Sequence, residues 1–177
     1  NIAGPGMLRL VEQSMQARAR KTSVTEIAVK ERKHPQAALT FDDGPDIRYT
    51  PLLLDGLKER NVRASFFLLG EKVEQYPELV ERMQKEGHLV GNHTYHHVQL
   101  NKLNETKARE EILKTNNLIY ETTGVYPLYL RPPFGAWKKN LELCVEMLPV
   151  FWTIDTLDWK VQNLSLIHIS EPTRHIR

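Results

Sequence analysis

Ala37-Ala-Leu-Thr-Phe-Asp-Asp-Gly-Pro45 is a short apolar run that ends in two carboxylates and a turn pair. The apolar part, Ala37–Phe41, reads as a strand, and Asp-Gly-Pro is favourable turn chemistry. The same unit recurs downstream. Ala64–Leu69 is a second apolar run closed by Gly70, His88–Val90 is a third strand leading into Gly-Asn-His, and Tyr126–Leu130 is a fourth, running into Arg-Pro-Pro-Phe-Gly. Pro149–Ile154 is expected as the fifth.

Helical periods fill the gaps. Thr50–Arg60 has Leu52, Leu53, Leu54 and Leu57 as apolar positions, with Thr50 as cap and Pro51 at the first helical position. Val73–Glu86 reads as one helix ended by Gly87. Glu105–Thr123 is a long polar-faced helix with Ala108, Ile112, Leu113 and Ile119 on its apolar side, stopped at Gly124, and Leu141–Met147 is a shorter one. Strands alternating with helices imply an α/β fold with a parallel sheet and helical crossovers. Chemistry in such folds sits in loops at the C-terminal ends of the strands. The polar clusters of this chain fall there: after Phe41, Val90, Leu130 and Ile154.

The bulk numbers agree with one globular domain: 177 residues, 41% hydrophobic and 26% charged. A net charge of +2 is too small to argue for nucleic acid as a partner. No stretch approaches the roughly 18 apolar residues of a membrane span. Cys144, the single cysteine, cannot form an intrachain disulfide and reads as a buried thiol. The first 35 residues are basic and carry a weak helical pattern, expected as a spacer or end-capping helix without a catalytic role. The chain starts at Asn1, not Met, which leaves room for an upstream signal or anchor; a membrane anchor within the chain itself is not expected.

Asp42 and Asp43 repel each other unless a cation or arginine lies nearby. Taken alone, they read more readily as turn residues than as a site. His93-Thr-Tyr-His96-His97 places three imidazoles within five residues, which suggests a divalent metal. On a helix, His93 and His97 would share a face, and His93 with His96 would serve as well. Solvated loop histidines are the plainer alternative. A His-His-carboxylate set with open positions belongs to a catalytic rather than a structural metal site. The other aspartate is then free as a base, and a nearby arginine would hold it ionised. Arg131 offers that guanidinium. The two prolines after it stiffen the loop, and the N–H of Phe134 remains free to face a developing oxyanion. Asp155-Thr-Leu-Asp158-Trp159 adds carboxylates and a flat ring that would floor a sugar site or sit in the core.

Four motifs in this order, Thr40-Phe-Asp-Asp-Gly-Pro45, His93-Thr-x-x-His97, Arg131-Pro-Pro-Phe-Gly135 and Asp155-x-x-Asp158-Trp159, resemble the polysaccharide deacetylase family, the NodB-homology group of carbohydrate esterases (family 4). The resemblance covers roughly Gln36 to Asn163 and implies a distorted (β/α) barrel with fewer units than a full eightfold one. It implies a catalytic domain over residues 36–163 that hydrolyses N-acetyl groups of N-acetylglucosamine units, with peptidoglycan as the favoured glycan and chito-oligosaccharide as another. Asp42 would be the general base. Asp43, His93 and His97 would hold a divalent metal, usually zinc, with cobalt able to serve. Arg131 would pair with Asp42, and the Phe134 N–H would help stabilise the oxyanion. Asp158 would tune a later histidine, and Trp159 with Pro133 would line the substrate side. The family resemblance also implies a place in the cell envelope or outside the cell.

The family carries a fifth motif, Leu-x-His, whose histidine protonates the leaving amine. Leu166-Ile167-His168 has the right letters, but it follows Trp159 by only nine positions, too few for a crossover of about a dozen residues. Residues 164–177 look non-native: Ser165–Arg177 resembles a translated sequencing-adapter read. The expectation is a domain interrupted near Asn163, with its barrel incomplete at the C-terminus. Two other readings stand beside the amide hydrolase. One is an O-acetyl esterase on xylan, using the same site. The other is a catalytically silent, metal-holding glycan-binding module.

Overall fold

A computed structural model of the chain describes residues 37–137 and 145–160. The expectations for residues 1–35, Cys144, His168 and residues 164–177 lie outside the described residues. Among those described, no helix is long and apolar enough to cross a membrane.

Among the described residues, five strands form one parallel sheet in the order of the chain: β1 (Thr40–Gly44), β2 (Ser65–Leu68), β3 (Leu89–Asn92), β4 (Tyr129–Leu130) and β5 (Leu148–Pro149). The helices are α1 (Tyr49–Glu59), α2 (Gly70–Gln75), α3 (Pro77–Lys85) and α4 (Glu105–Thr123), with short 3-10 turns at Leu100–Lys102 and Pro133–Gly135. The expected α/β class and alternation are present, and the differences in detail have local causes.

The helix expected over Val73–Glu86 is two helices that meet at Tyr76. Pro77 has no N–H to continue α2 and disfavours helical geometry at the residue before it, so α3 starts afresh with proline at its first turn. The first helix begins at Tyr49, one residue before the expected cap. Its start is closed instead by Asp46, whose Oδ1 accepts from the N–H groups of Arg48 and Tyr49 at 2.8 and 3.0 Å. Thr50 Oγ1 accepts from the Asp46 N–H in return, at 2.8 Å. Helix α4 has the expected bounds, because Asn104 caps the Lys107 N–H and Gly124 closes the other end at φ +75°. Strand β1 runs further than expected and takes in both aspartates, whereas β4 and β5 are two residues each. Val145–Met147 is not helical.

Alternation along β2 divides the core. Phe66 faces the helices and packs with Leu54, Leu57, Leu68, Val80 and Met83, all nearly or fully buried. Each such side chain contributes about 1.5–3 kcal/mol on burial. Phe67 faces the other way, and the Arg131 guanidinium lies over its ring at 4.1 Å. Gly91 opposite makes this arrangement feasible, since a Cβ there would meet the Phe67 ring at 2.6 Å. A second cluster, Leu100, Ala108, Ile112 and Leu130, fastens α4 to the underside of the loops after β3 and β4.

Candidate active site

The register of β1 against β2 shifts between Asp42 and Gly44, leaving Asp43 as an extra residue at φ +64°. Successive side chains on a regular strand point to opposite faces, but a bulge re-aims them. Both carboxylates of the Asp-Asp pair therefore reach the same end of the sheet. Lys72, at the start of α2, donates its Nζ to the Asp43 carbonyl at 2.7 Å and ties down the bulged residue.

The second element is the loop after β3. Asn92, fully buried, donates its Nδ2 to Ile112 O at 2.9 Å and Asn116 Oδ1 at 2.7 Å, both on α4, and accepts from the Thr94 N–H at 2.7 Å. His93 and His97 do not share a helical face, as their spacing had suggested. They sit on an irregular loop whose turn is made by left-handed Thr94 (φ +68°) and His97 (φ +56°). The two rings lie 5.1 Å apart between centroids. His93 Nε2 is 3.4 Å and His97 Nε2 3.3 Å from Asp43 Oδ1. His96 turns away and is held by Glu111 at 2.7 Å.

The third element is Arg131, which donates its Nη1 to Asp42 Oδ1 at 2.7 Å and to Thr40 Oγ1 at 2.8 Å. Its own carbonyl lies 2.6 Å from His93 Nδ1. A carbonyl only accepts, so Nδ1 donates there and Nε2 faces Asp43, as an N–H donor in the charged ring and as a lone pair for a cation in the neutral one. Pro133 is buried behind this loop. Phe134, at φ +59°, is 63% exposed and sets its ring 4.6 Å from that of His97. The turn bonds of the loop use the N–H groups of Gly135 and Ala136.

Electrostatics separate the two aspartates. The hydrogen bond from His93 holds the Asp43 carboxyl below the usual carboxylate range, with His93, His97 and Lys72 adding attraction. The Asp42 side chain is only 29% exposed, and its burial raises the carboxyl above its ordinary value, outweighing His93 and Arg131. The expected arginine pairing is present, but desolvation wins over it. Burial lowers the His97 imidazole, which favours the neutral form that a metal ligand needs.

Asp43, His93 and His97 offer three donor atoms all within 4.8 Å of one another. A tetrahedral zinc with ligands at about 2.0–2.2 Å holds its donors roughly 3.3–3.5 Å apart. The 3.4 and 3.3 Å separations of the two imidazoles from Asp43 therefore match two of the three edges that a small divalent cation would need.

Asp158 and Trp159 are not drawn into this cluster. Asp158 accepts from its neighbour Thr156 at 2.7 Å, Asp155 from the Leu157 N–H at 2.9 Å, and Trp159 is 70% exposed. Every residue from Phe151 to Lys160 is exposed; the Trp152 ring approaches Gly135 of the Pro-Pro loop, whereas Trp159 stands in solvent. Conversely, Lys72, Asn92 and Glu111 support the site without having been singled out by sequence. Asn92 precedes the histidine motif and was within reach. Lys72 and Glu111 carry no local signal, being ordinary charged residues on polar helix faces.

The profile of the family described as polysaccharide deacetylase matches residues 29–150. A peptidoglycan-N-acetylglucosamine deacetylase of Bacillus cereus is 48% identical over 128 residues, covering 71% of this chain and 46% of that protein. The solved structure of the peptidoglycan deacetylase PdaC from Bacillus subtilis superposes with a TM-score of 0.71 at 40% identity, covering 73% of this chain and 64% of that one. A CE4 family pseudoenzyme from Bacillus anthracis is also similar, with a TM-score of 0.68 at 28% identity over 73% of this chain and 47% of that one. The chain spans about half, or less, of the length of the curated relatives it matches.

Proposed function

The chain belongs to the polysaccharide deacetylase family, and from that premise we propose that it carries the base, metal and oxyanion half of a site that removes N-acetyl groups from the N-acetylglucosamine residues of peptidoglycan. The observation that carries the reading is the placing of the two aspartates: Asp42 Oδ1 is paired with Arg131 at 2.7 Å, while Asp43 Oδ1 lies 3.4 and 3.3 Å from the His93 and His97 Nε2 atoms. Relatives named as peptidoglycan deacetylases support the glycan.

Asp43, His93 and His97 would hold the cation, zinc first and cobalt second. When bound, such an ion polarises the acetamide carbonyl and eases deprotonation of water. Asp42 accepts the proton of the attacking water, and its burial pushes the carboxyl upward, in the direction of a stronger base. Arg131 fixes the carboxylate by one short bond and rests on Phe67, so the base cannot rotate freely. As the carbonyl oxygen becomes an oxyanion, the Phe134 N–H stands on the stiff Pro-Pro loop to stabilise it. The C–N bond then breaks as the leaving nitrogen takes the proton that Asp42 received, or one from water, giving acetate and a free sugar amine. A place in the cell envelope or outside the cell follows from that substrate.

The test is Asp42→Asn. Acetate release from peptidoglycan should fall by about 10²-fold or more, while bound zinc measured by elemental analysis stays at the wild-type level. A fully active variant sinks the mechanism. Release from acetylated xylan in preference to both peptidoglycan and chito-oligomers would make the protein an O-acetyl esterase. The likeness to a pseudoenzyme favours one second reading, a silent glycan-binding module. Zinc and sugar binding without acetate release would identify it.

A further inference from the structure

Glu111 lies on α4, 15 residues beyond His96 in sequence, with a side chain only 15% exposed. Its Oε2 accepts from the N–H groups of Tyr95 and His96 at 3.0 and 2.9 Å. Its Oε1 takes the His96 Nδ1 at 2.7 Å. One buried carboxylate thus satisfies two consecutive main-chain donors and an imidazole. Those two donors lie between Thr94 and His97, the two non-glycine residues of this loop with positive φ. Left-handed geometry at such residues costs on the order of 1 kcal/mol or more each and persists only when the surroundings over-determine it. Asn92 fixes the loop at its beginning through Ile112 and Asn116, but nothing in that set reaches past Thr94. The amides that begin α2 add two bonds from the other side, Gly70 to Thr94 O at 3.0 Å and Glu71 to Tyr95 O at 3.3 Å.

We propose that Glu111 is a positioning residue for the metal centre: it holds the Thr94–His97 turn from α4, so that the His97 ring swings back to face Asp43. The proposal rests on the metal-site reading above, and it assigns to His96 a part in the brace in place of ligation. A carboxylate suits the task better than a neutral group, because a charged acceptor binds main-chain N–H groups about twice as strongly as a neutral one. Glutamine keeps an oxygen for both amides and a nitrogen for the His96 ring, so it should preserve most of the geometry. Alanine removes all three bonds.

The experiment compares Glu111→Ala, Glu111→Gln and His96→Ala with the wild-type chain. Zinc affinity is measured by chelator competition, and amide hydrogen exchange at Tyr95 and His96 is measured in chelator. Glu111→Ala should weaken zinc by about 10–100-fold, the usual cost of losing a group that orients a ligand. It should also speed exchange of the two amides by about tenfold, while amides of β2 keep their protection, which shows that the chain is still folded. Glu111→Gln should stay within about threefold of wild type in zinc affinity, and His96→Ala should bind zinc nearly as well as wild type. Glu111→Ala with unchanged zinc affinity, or with unchanged exchange at both amides, overturns the proposal. Wild-type protein that binds no zinc overturns the metal-site reading itself, a result distinct from equal binding by wild type and variant.

Discussion

Asp42 and Asp43 share a peptide bond and a chemistry, yet their surroundings pull them in opposite directions. Burial lifts the first carboxyl despite Arg131 and His93, and the His93 hydrogen bond lowers the second. Pairs of titratable groups pushed apart in this way mark a division of labour between base and ligand. The residue types of the site were legible in the sequence, because aspartates, histidines and arginine stood at strand ends. The choice between His96 and His97 was not legible from spacing. It depends on two left-handed residues and on a glutamate from another helix, and neither leaves a trace in the local pattern. Away from the site, His88 makes a separate prediction. Its side chain is 2% exposed, and its Nδ1 accepts the Ala64 N–H at 3.2 Å, so Nε2 carries the proton and lies 3.9 Å from Glu86. Burial lowers its pKa below the ordinary 6.5, with Arg63 and Arg82 helping and Glu86 opposing. The unfolded chain therefore binds a proton that the folded chain refuses. This contribution to stability is complete above about pH 6.5 and declines as the pH falls below it. In chelator, the wild-type melting temperature should drop between pH 7 and pH 5.5 more steeply than that of His88→Gln. Parallel curves would refute the assignment.

Among the elements, α2 begins where the fold is tightest. Gly70 donates to the Thr94 carbonyl, and a Cβ at this position would collide with Thr115 Oγ1 and the Tyr95 ring. Gly70→Ala should therefore destabilise the chain by about 1–3 kcal/mol in urea unfolding, through overpacking against the histidine loop. Gly56→Ala in α1 is the contrast. Its nearest neighbour would be the flexible Arg60 side chain at 3.4 Å, and relief of glycine's entropy should leave it neutral or more stable by up to about 1 kcal/mol. Equal losses in the two variants would show that the collision at Gly70 is not the cause. Local signals governed how well each element was read. Gly124 ends α4 through its positive φ, so the helix was legible to the residue. The break at Tyr76 was legible too, since Pro77 stands in the sequence, but an uninterrupted apolar period masked it. The expected β4 started too early, at Tyr126, and the expected β5 ran too far, to Ile154, because the apolar runs extend beyond the paired residues.

For the molecule as a whole, a cation at Asp43, His93 and His97 would join β1 to the loop after β3, with β2 between them. Any ligand that binds only the folded chain stabilises it by mass action. Zinc at 100 times its dissociation constant should add about 2.7 kcal/mol, which for a chain of this size is a rise of roughly 5–10 °C in melting temperature. Scanning calorimetry with and without zinc measures it. The rise should vanish in Asp43→Ser, and its survival there would place the ion elsewhere. The parallel sheet was legible from alternation alone. Its strand order was not, because a period says that strands exist and leaves open which of them are neighbours.

That order has a temporal meaning. Each strand pairs with the one immediately before it in the chain, from β1 through β5. A polypeptide leaving the ribosome from its N-terminus therefore always finds the next docking edge already made, and no strand has to wait for a partner not yet synthesised. Asp42 and Asp43 emerge first, then the histidine loop, and Arg131 last. Its carbonyl fixes the proton of His93 and its guanidinium fixes Asp42. The base and the metal-facing residues thus emerge in the order of translation, and Arg131, arriving after them, touches both.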